Sequence, residues 1–427
     1  MKPAALVLSV LFSAVAFAAE NPLAYPPSEI LAYAKTLEPR LTEIRRDLHR
    51  HPELGFKEFR TTAKIKEVLS SLPGIEILPL KMETGVVAEL KGTDPSKGTV
   101  ALRCDIDALP ITEDKPATHA YKSEVPDVMH ACGHDGHVTV NLGAAMVLSK
   151  FRPERTVRFL FQPAEETARS GALEFLACDV LKGVDEAWGF HLNATSDFGN
   201  VGWYDGTVMS GELAFTIDVK GKSVHYSYPD CSVNPIVILS RISAELAGIK
   251  ETIRATRPWQ ITLRALHSGD PKKTVTPPDG YLKASVFYHE NEVRDFIRAK
   301  VEAITKNYCE LYGATYEIDW KQGLDATYNE PQLGPAVREN AAALGLPLEH
   351  IFASMGGDDF GYYAQRLPAY YMTFGIRKGK DFPLAHTAKF DFDEAVLPSA
   401  AAMFASCALR KAHPAPPEIR NSKGETK

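Results

Sequence analysis

The chain has 427 residues, more than a single hydrophobic core usually organises, so about two domains are expected. Lysine and arginine together number 48 against 54 aspartates and glutamates, and the basic residues are dispersed along the chain. This balance excludes the clustered positive charge typical of nucleic-acid-binding proteins and favours a small-molecule or peptide substrate.

The N-terminus is typical of a secretory signal peptide over residues 1–18. It has one early lysine, an apolar run and a small-x-small cleavage site that ends at Ala18. The apolar run is shorter than the ~20 residues that span a bilayer, which disfavours the alternative of a membrane anchor. We therefore expect the mature chain to begin near Ala19, to work in the periplasm or as a secreted protein, and to have no membrane partner.

The six cysteines are sparse and unevenly spaced, and the chain is long enough to fold without covalent cross-links. No disulfide framework is predicted. The sequence leaves one bridge open, which would include Cys178 or Cys231.

Short apolar runs alternate with helical stretches in the first half of the chain. Runs rich in Val, Phe and Leu are typical of buried strands, and their alternation with helices indicates an α/β domain. The predicted strands cover residues 85–90, 99–104, 156–161 and 186–191, and the predicted helices cover residues 135–151 and 172–181.

From about Gly206 the order of elements changes to β-α-β-β-α-β, which is the ferredoxin-like order. These elements cover residues 213–221, 235–253, 259–266, 281–288, 290–313 and 314–320. Helix and strand signals of the α/β type then resume over 330–344, 369–375 and 397–411. We expect a discontinuous catalytic domain over 19–205 and 318–413, an inserted lid domain over 206–317, and a disordered tail over 414–427.

Polar side chains with catalytic or metal-binding chemistry follow the predicted strands of the α/β domain. They are Asp105, Asp107, Glu165, Glu166, His191 and His386. In open α/β sheets, ligands bind at the carboxyl edge of the strands, so these side chains should converge on one crevice with the loop of Cys132 and His134. The sequence predicts a site at that edge.

Cys132 and His134 stand in the segment MHACGHDGH as a Cys-x-His pair. Thiolate, imidazole and carboxylate together suit Zn²⁺ or a similar divalent ion. Taken alone, the segment also fits a polar helix start capped by Asp135. The adjacent pair Glu165 and Glu166 favours the metal, because neighbouring buried carboxylates repel unless a cation is near; a solvated acidic loop is the alternative. On an extended segment, one carboxylate would bind metal and the other would act as a general base.

With these segments in place, the chain resembles the hippurate hydrolase and auxin-conjugate amidohydrolase branch of the aminoacylase/carboxypeptidase di-metal metallopeptidases. The resemblance rests on DLHRHPELGFKE, TGVVAELKG, RCDIDALP, MHACGHDGH, FLFQPAEE, GFHL, GGDDFGYY and HTAKFDFDE, in that order. It covers nearly the whole mature chain. It implies an α/β catalytic domain of the di-metal exopeptidase type, with an inserted α+β ferredoxin-like lid that dimerises.

The resemblance also implies a role for each candidate residue. The implied metal ligands are Cys132, His134, Glu166, His191 and His386. Glu165 is implied as the general base, and Asp107 and Asp105 are implied as groups that orient the ligands from behind. His130 and His137 are not ligands in that pattern. The expected cofactor is a pair of divalent ions per subunit, of the kinds Zn, Mn, Ni or Co.

In the predicted lid, His225 matches a histidine that reaches the partner subunit's active site in the family and stabilises the developing oxyanion. A histidine without a role is the alternative. The open edge of the lid sheet makes a homodimer the expected state. The lid strand has Phe287 near the place where relatives carry an arginine, so recognition of a free substrate carboxylate is in question.

The expected activity is that of an exported metal-dependent amidohydrolase that cleaves the amide bond of N-acyl amino acids. Two alternatives stay open: a dipeptidase or carboxypeptidase acting on short peptides, and a binding protein that keeps the cleft without turnover. Glu165 separates the last alternative from an enzyme, because a binding protein has no need of a second carboxylate beside Glu166.

Overall fold

The structure is a computed structural model that describes residues 21–116, 118–249 and 258–411. The predicted signal peptide and the predicted tail over 414–427 lie outside these residues. Within them the chain forms an eight-stranded sheet, a four-stranded sheet and a small two-stranded sheet. No helix among the described residues combines the length and the apolar character needed to cross a bilayer.

The eight-stranded sheet is mixed, with strand order β1-β2-β4-β3-β5-β14-β6-β13. Its strands are β1 (Ile75–Ile77), β2 (Val86–Leu90), β3 (Thr99–Asp105), β4 (Thr156–Gln162), β5 (Glu186–Asp197), β6 (Val201–Trp203), β13 (Leu348–His350) and β14 (Ala369–Arg377). The four central strands β4, β3, β5 and β14 are parallel. Their residues are almost all buried, as expected for strands covered on both faces.

Helices cover this sheet on both faces, which confirms the predicted α/β class. They are α1 (Pro27–Thr36), α2 (Glu38–Arg50), α3 (Phe59–Ser70), α4 (His134–Lys150), α5 (Gly171–Ala177), α8 (Gly334–Ala343), α9 (Gly361–Ala364) and α10 (Leu397–Ser406). Helix α4 is buried on every side over residues 134–148, because it packs between β3 and the helices α2 and α10. Its buried polar side chains therefore need partners inside the protein.

The four-stranded sheet, with order β11-β8-β10-β9, is antiparallel and packs with α6 (Pro235–Gly248) and α7 (Asn291–Tyr312). Its strands are β8 (Gly211–Lys220), β9 (Trp259–Ser268), β10 (Asp279–Tyr288) and β11 (Thr315–Gln322). The chain order β8-α6-β9-β10-α7-β11 is the β-α-β-β-α-β order predicted from sequence. Pro235 at the first turn of α6 and the left-handed Gly313 after α7 mark helix ends in the usual way.

This second unit has a core of its own, formed where α6 and α7 cover one face of the sheet. A two-stranded sheet of β7 (Gly206–Met209) and β12 (Thr327–Asn329) lies where the chain enters and leaves it. Strand β11 runs through residue 317, so the predicted boundary between 317 and 318 falls inside a strand of the lid sheet.

Candidate metal centre

The predicted site residues lie on five separate segments near the carboxyl edge of the parallel strands. Asp105 ends β3, Cys132 and His134 stand at the start of α4, and Glu165 and Glu166 follow β4. His191 lies on β5 and His386 lies in the loop after β14. Their donor atoms form three overlapping groups, each within 4.8 Å: Cys132, His134 and His191; Cys132, Glu166 and His386; His134, Glu165 and Glu166.

One positional detail of the prediction was wrong. His191 does not follow the end of its strand, because β5 continues to Asp197 by pairing with β14. Leu102 of β3 pairs with Trp188, so His191, three residues further along, is level with Asp105 at the end of β3. The histidine therefore still reaches the edge where the neighbouring strand ends.

Cys132 is at the centre of the donor cluster. Its Sγ lies 3.4 Å from Nε2 of His191 and 3.3 Å from Nε2 of His386. Nε2 of His386 also lies 2.9 Å from Oε1 of Glu166. The thiol is thus shared between two groups of donors, one with His191 and one with His386 and Glu166.

Asp107 orients two members of the cluster. Its Oδ1 lies 3.3 Å from Nδ1 of His134, and its main-chain oxygen lies 2.9 Å from the same nitrogen. Its Oδ2 accepts the main-chain N–H of Glu166 at 3.0 Å. These contacts leave Nε2 of His134 directed away from Asp107, toward the other donors, which is the usual arrangement behind a metal-binding histidine.

Asp105 and His137 form a buried pair beside the cluster. Nδ1 of His137 lies 2.6 Å from Oδ1 of Asp105, and Nε2 of His137 accepts the N–H of Leu192 at 3.0 Å. Although Asp105, His134 and His137 also lie close enough to hold an ion, both nitrogens of His137 are already engaged. The hydrogen bonds thus give His137 a role in fixing β5 against α4.

His130 is buried and neither ring nitrogen has a hydrogen-bond partner among the described residues. It belongs to none of the donor groups within 4.8 Å. Burial lowers the pKa of its imidazole to about 3, so the ring is neutral.

The segment that carries Glu165 and Glu166 is a turn and not the extended segment that the sequence predicted. Ala164, just before the pair, has φ 56, and its N–H donates to Oε1 of the buried Glu58 at 2.8 Å. The turn forms because this N–H is taken by Glu58 and the carbonyl of Ala164 accepts the N–H of Gly171. Both carboxylates therefore lie on the same side, within one group with His134.

Glu165 also lies close to Asp358 and Asp359, with the three carboxylates within 4.8 Å of one another. Burial and the charges of the two aspartates hold the pKa of Glu165 well above its ordinary value. A buried carboxyl with a raised pKa is suited to accept and release a proton near neutral pH. Both aspartates stand in GGDDFGYY, one of the segments that carry the resemblance, but neither was predicted to lie in the site.

Arg103 is the fully buried cation that pairs with these acids, and it was not predicted from the sequence. Its guanidinium lies 3.0 Å from Asp105, 3.2 Å from Asp358 and 2.5 Å from Asp359, and it donates to Gln162. An arginine in the middle of the apolar strand β3 was the available signal, because a buried charge requires partners.

Positive charge is stabilised strongly within the donor cluster. Burial raises the pKa of the Cys132 thiol, but the charges of His191 and His134 have a larger opposite effect, and the pKa falls to about 6. Burial lowers the pKa of His191, but Cys132 raises it to about 9. Hydrogen bonds with Cys132 and Glu166 raise the pKa of His386 to about 10. The cluster thus favours a thiolate surrounded by cationic partners.

The side chains fit a divalent cation. Nε2 of His134 is buried and forms no hydrogen bond within the described residues, and Oε1 of Glu166 is paired only with Nε2 of His386, itself one of the donors. One thiolate, three imidazoles and a carboxylate are the ligand types that Zn²⁺ and similar late first-row ions take. The alternative interpretation, a helix start capped by Asp135, is wrong. Gly133 precedes α4 with φ 90, and the side chain of Asp135 pairs with Arg45 and His49.

The structure does not bring His225 into the donor cluster. His225 is exposed in the loop after β8, where its ring stacks on Tyr226 with the ring centroids 4.7 Å apart. The donor groups within 4.8 Å do not include it.

Phe287 lies on β10, half-buried, opposite Glu212 of β8. All six cysteines, each in the described part of the chain, are free, including Cys178 and Cys231.

Comparison with known proteins extends this description. The sequence model of peptidase family M20/M25/M40 matches residues 101–410. The chain is 35% identical over 379 residues to N-acetylcysteine deacetylase of Bacillus subtilis (strain 168), covering 88% of this chain and 97% of that protein. It is 34% identical over 385 residues to thermostable carboxypeptidase 2 of Saccharolobus solfataricus, covering 88% and 96%. The solved structure of Bacillus subtilis YXEP, described as a dinuclear metal binding peptidase from the M20 family, matches with a TM-score of 0.78 and 33% identity, covering 88% and 98%.

Proposed function

Because the chain belongs to peptidase family M20/M25/M40 and is a metal-dependent hydrolase of amide bonds, we propose that it cleaves N-acyl amino acids into a carboxylic acid and a free amino acid. The observation that carries this proposal is the convergence of Cys132, His134, Glu166, His191 and His386 around one position, with Glu165 beside them. The name of the N-acetylcysteine deacetylase supports the choice of an N-acyl amino acid. Substrates with aromatic acyl groups, of the hippurate and auxin-conjugate kind, belong to the same proposal.

We propose that two divalent cations are held per subunit, and the likeness to the dinuclear metal binding peptidase YXEP supports this number. His134 and His191 would hold one, and Glu166 and His386 would hold the other. Cys132 would serve both, because its sulfur lies near one histidine of each pair, His191 and His386. When bound, such ions lower the pKa of water and polarise a carbonyl group. Asp107 orients His134 and the main chain of Glu166 for this purpose.

Glu165 is assigned the proton transfers. Its carboxylate accepts a proton from the attacking water and delivers that proton to the leaving amine nitrogen, so the group ends in its starting state. Burial, together with the charges of Asp358 and Asp359, raises the pKa of Glu165, and this suits the second step, since the acid holds the proton until the amine requires it. His225 is proposed to contribute to the oxyanion in the site of a second subunit, because its own subunit leaves it exposed.

Glu165→Gln tests this assignment. We expect the turnover of N-acetyl amino acids, measured as release of the free amine, to fall about 10²- to 10⁴-fold. Metal content, measured after dialysis, should match that of the wild-type protein, because Glu165 is not assigned as a ligand. Glu76→Gln, at an exposed position on β1, is the matched control and should keep full activity. Full turnover by the Glu165→Gln variant would show that the assignment is wrong. A wild-type protein that binds N-acetyl amino acids but does not cleave them would favour a binding protein.

A carboxypeptidase acting on short peptides is the second candidate, favoured by the likeness to thermostable carboxypeptidase 2. A substrate panel separates the two functions. It would contain N-acetyl and N-benzoyl amino acids and dipeptides with blocked N-termini, each compared by kcat/KM. Preference for the acyl amino acids by tenfold or more supports the leading proposal, and the reverse preference supports the carboxypeptidase.

We also propose that the protein is exported and works as a homodimer. The signal-peptide pattern of residues 1–18 supports export, and N-terminal sequencing of the protein recovered from a periplasmic fraction tests it. The edge strand β9, with Leu263 and Leu266 exposed, supports a two-fold contact through the lid sheet. Mixing inactive Glu165→Gln with inactive His225→Ala should restore activity if His225 acts across the dimer, and no recovery would contradict that arrangement.

A further inference from the structure

Helix α2 ends in the first residues of the motif DLHRHPELGFKE, yet none of its side chains belongs to the donor cluster. It nevertheless has two fully buried polar side chains, Arg45 and His49, which lie one helical turn apart on the same face. Buried charges are costly unless partners surround them. The partners of these two side chains therefore indicate their role.

Arg45 joins two segments of the chain that each carry a donor. Its Nε donates to Oδ2 of Asp135 at 2.9 Å, and its Nη2 donates to Oδ1 of Asp391 at 2.6 Å. Asp135 directly follows His134, and Asp391 lies five residues after His386. The planar guanidinium thus holds the start of α4 and the loop after β14 at a set separation.

His49 connects the same aspartate to a third segment. Its Nδ1 lies 2.7 Å from Oδ2 of Asp135, and its Nε2 lies 3.1 Å from Oε1 of Glu113. Glu113 stands in the loop between β3 and α4, whose far end bears Cys132, and its Oε2 accepts the main-chain N–H of Ser123 at 2.6 Å. Because a carboxylate only accepts hydrogen bonds, both ring nitrogens of His49 donate, and the imidazole carries a positive charge.

The guanidinium of Arg45 is shielded from water and lies between charged partners. The rings of Tyr121 and Phe392 lie over it, with their centroids 4.8 Å and 4.5 Å from Cζ. Burial raises the pKa of Asp135 and of Asp391, but Arg45 is the strongest of the groups that together lower both pKa values well below the ordinary range. Both carboxylates are therefore charged, and their hydrogen bonds with Arg45 are of the strong, directional kind.

A buried ion network contributes little net stability, because the cost of removing charges from water offsets most of their attraction. We propose that Arg45 is a positioning residue of the metal centre, which sets the separation between His134 and His386 by binding Asp135 and Asp391 at once. This inference rests on the metal centre of the proposed function and is independent of the substrate.

Arg45→Lys tests the inference, because it keeps the positive charge and replaces the planar fork by one ammonium group. We expect the Zn²⁺ affinity, measured by competition with a chelator, to fall about 10- to 100-fold. The absorption bands of the Co²⁺-loaded protein, which report the geometry of thiolate and imidazole ligands, should shift as well.

Arg155→Lys is the matched control. Arg155 is also buried, and it pairs with Glu186 at 2.6 Å. Glu186 begins β5, at the edge of the sheet opposite the donor cluster. This variant should therefore keep the zinc affinity and the cobalt spectrum of the wild type. Thermal unfolding of the metal-free proteins shows whether the two lysine variants are equally folded.

Asp391→Asn shows whether the effect of Arg45 passes through the loop of His386. This aspartate is partly exposed, and its substitution should weaken Zn²⁺ binding about tenfold. The double variant Arg45→Lys/Asp391→Asn should lose less affinity than the product of the two single losses, since both changes break one contact. If Arg45→Lys does not fold, Asp391→Asn decides alone.

Three outcomes would overturn the inference. They are wild-type zinc affinity in Arg45→Lys or in Asp391→Asn, a loss in Arg155→Lys as large as that in Arg45→Lys, and single losses that multiply in the double variant. A wild-type protein that binds no zinc would instead refute the proposed metal centre on which the inference depends.

Discussion

Replacing Asp107 should weaken metal binding without removing a ligand. This aspartate lies behind the donor cluster, where Oδ1 is 3.3 Å from Nδ1 of His134 and Oδ2 accepts the N–H of Glu166 at 3.0 Å. Asp107→Ala removes both contacts. His134 keeps a second partner, the main-chain oxygen of residue 107 at 2.9 Å, so its ring orientation is only partly lost. The larger effect should fall on the turn that carries Glu166.

The expected magnitude follows from these contacts. A hydrogen bond to a charged group contributes about 1.5–3 kcal/mol, so two such bonds set an upper limit of about 3–6 kcal/mol. The retained main-chain contact of His134 reduces this limit, and partners behind metal ligands typically change affinity about 10- to 100-fold. We therefore expect Asp107→Ala to weaken Zn²⁺ binding about 100-fold and Asp107→Asn, which keeps the shape and one acceptor oxygen, about tenfold.

Competition with a coloured chelator of known zinc affinity measures this change directly. Asp319→Ala, an exposed aspartate on β11, is the matched control and should bind as the wild type does. Thermal unfolding of the metal-free proteins distinguishes lost affinity from a damaged fold. Wild-type zinc affinity in Asp107→Ala would refute the reasoning, because the hydrogen bonds to His134 and Glu166 would then have no effect on the donor set.

Two further predictions concern the buried charges around the site. Arg103→Met should lower the free energy of unfolding by about 3–5 kcal/mol in urea denaturation, because Asp105, Asp358 and Asp359 lose their buried partner, whereas exposed Arg40→Met should change little. Burial and Asp107 raise the pKa of Glu58 to about 7, so holding this carboxyl charged lowers stability as pH rises from about 4.5 to 7. Between pH 4 and pH 8, the free energy of unfolding of the metal-free Glu58→Gln variant should therefore fall by about 3 kcal/mol less than that of the metal-free wild type. Equal decreases would contradict that pKa.

The sequence was informative wherever local pattern decides structure. Apolar runs located the strands β2, β3, β4 and β14, and the change of pattern after Gly206 located the β-α-β-β-α-β unit. Each of these rests on side-chain periodicity that a single segment carries by itself. The convergence of the metal-type side chains was also predictable, since parallel strands end at one edge of their sheet.

The features that the sequence did not predict depend on contacts between distant segments. The turn at Ala164 requires Glu58, about a hundred residues earlier, and the extension of β5 to Asp197 requires pairing with β14. The grouping of Arg103 with Asp358 and Asp359 joins residues separated by more than 250 positions. No local pattern signals such a pairing, although the lone arginine within an apolar strand indicates that some partner must exist.

The backbone of the site is held in place by the protein's own hydrogen bonds, at a cost in conformational strain. Ala164 and His386 have φ 56 and φ 62, values that residues other than glycine adopt rarely and at about 1–3 kcal/mol each. Ala164 is held by Glu58 and Gly171, and the N–H of His386 donates to the carbonyl of Ala131, one residue before Cys132. The last contact joins the segment of Cys132 to the loop of His386, two donors that lie 254 positions apart in the sequence. Ligand geometry at this centre therefore depends on these main-chain contacts as much as on the ligand side chains themselves.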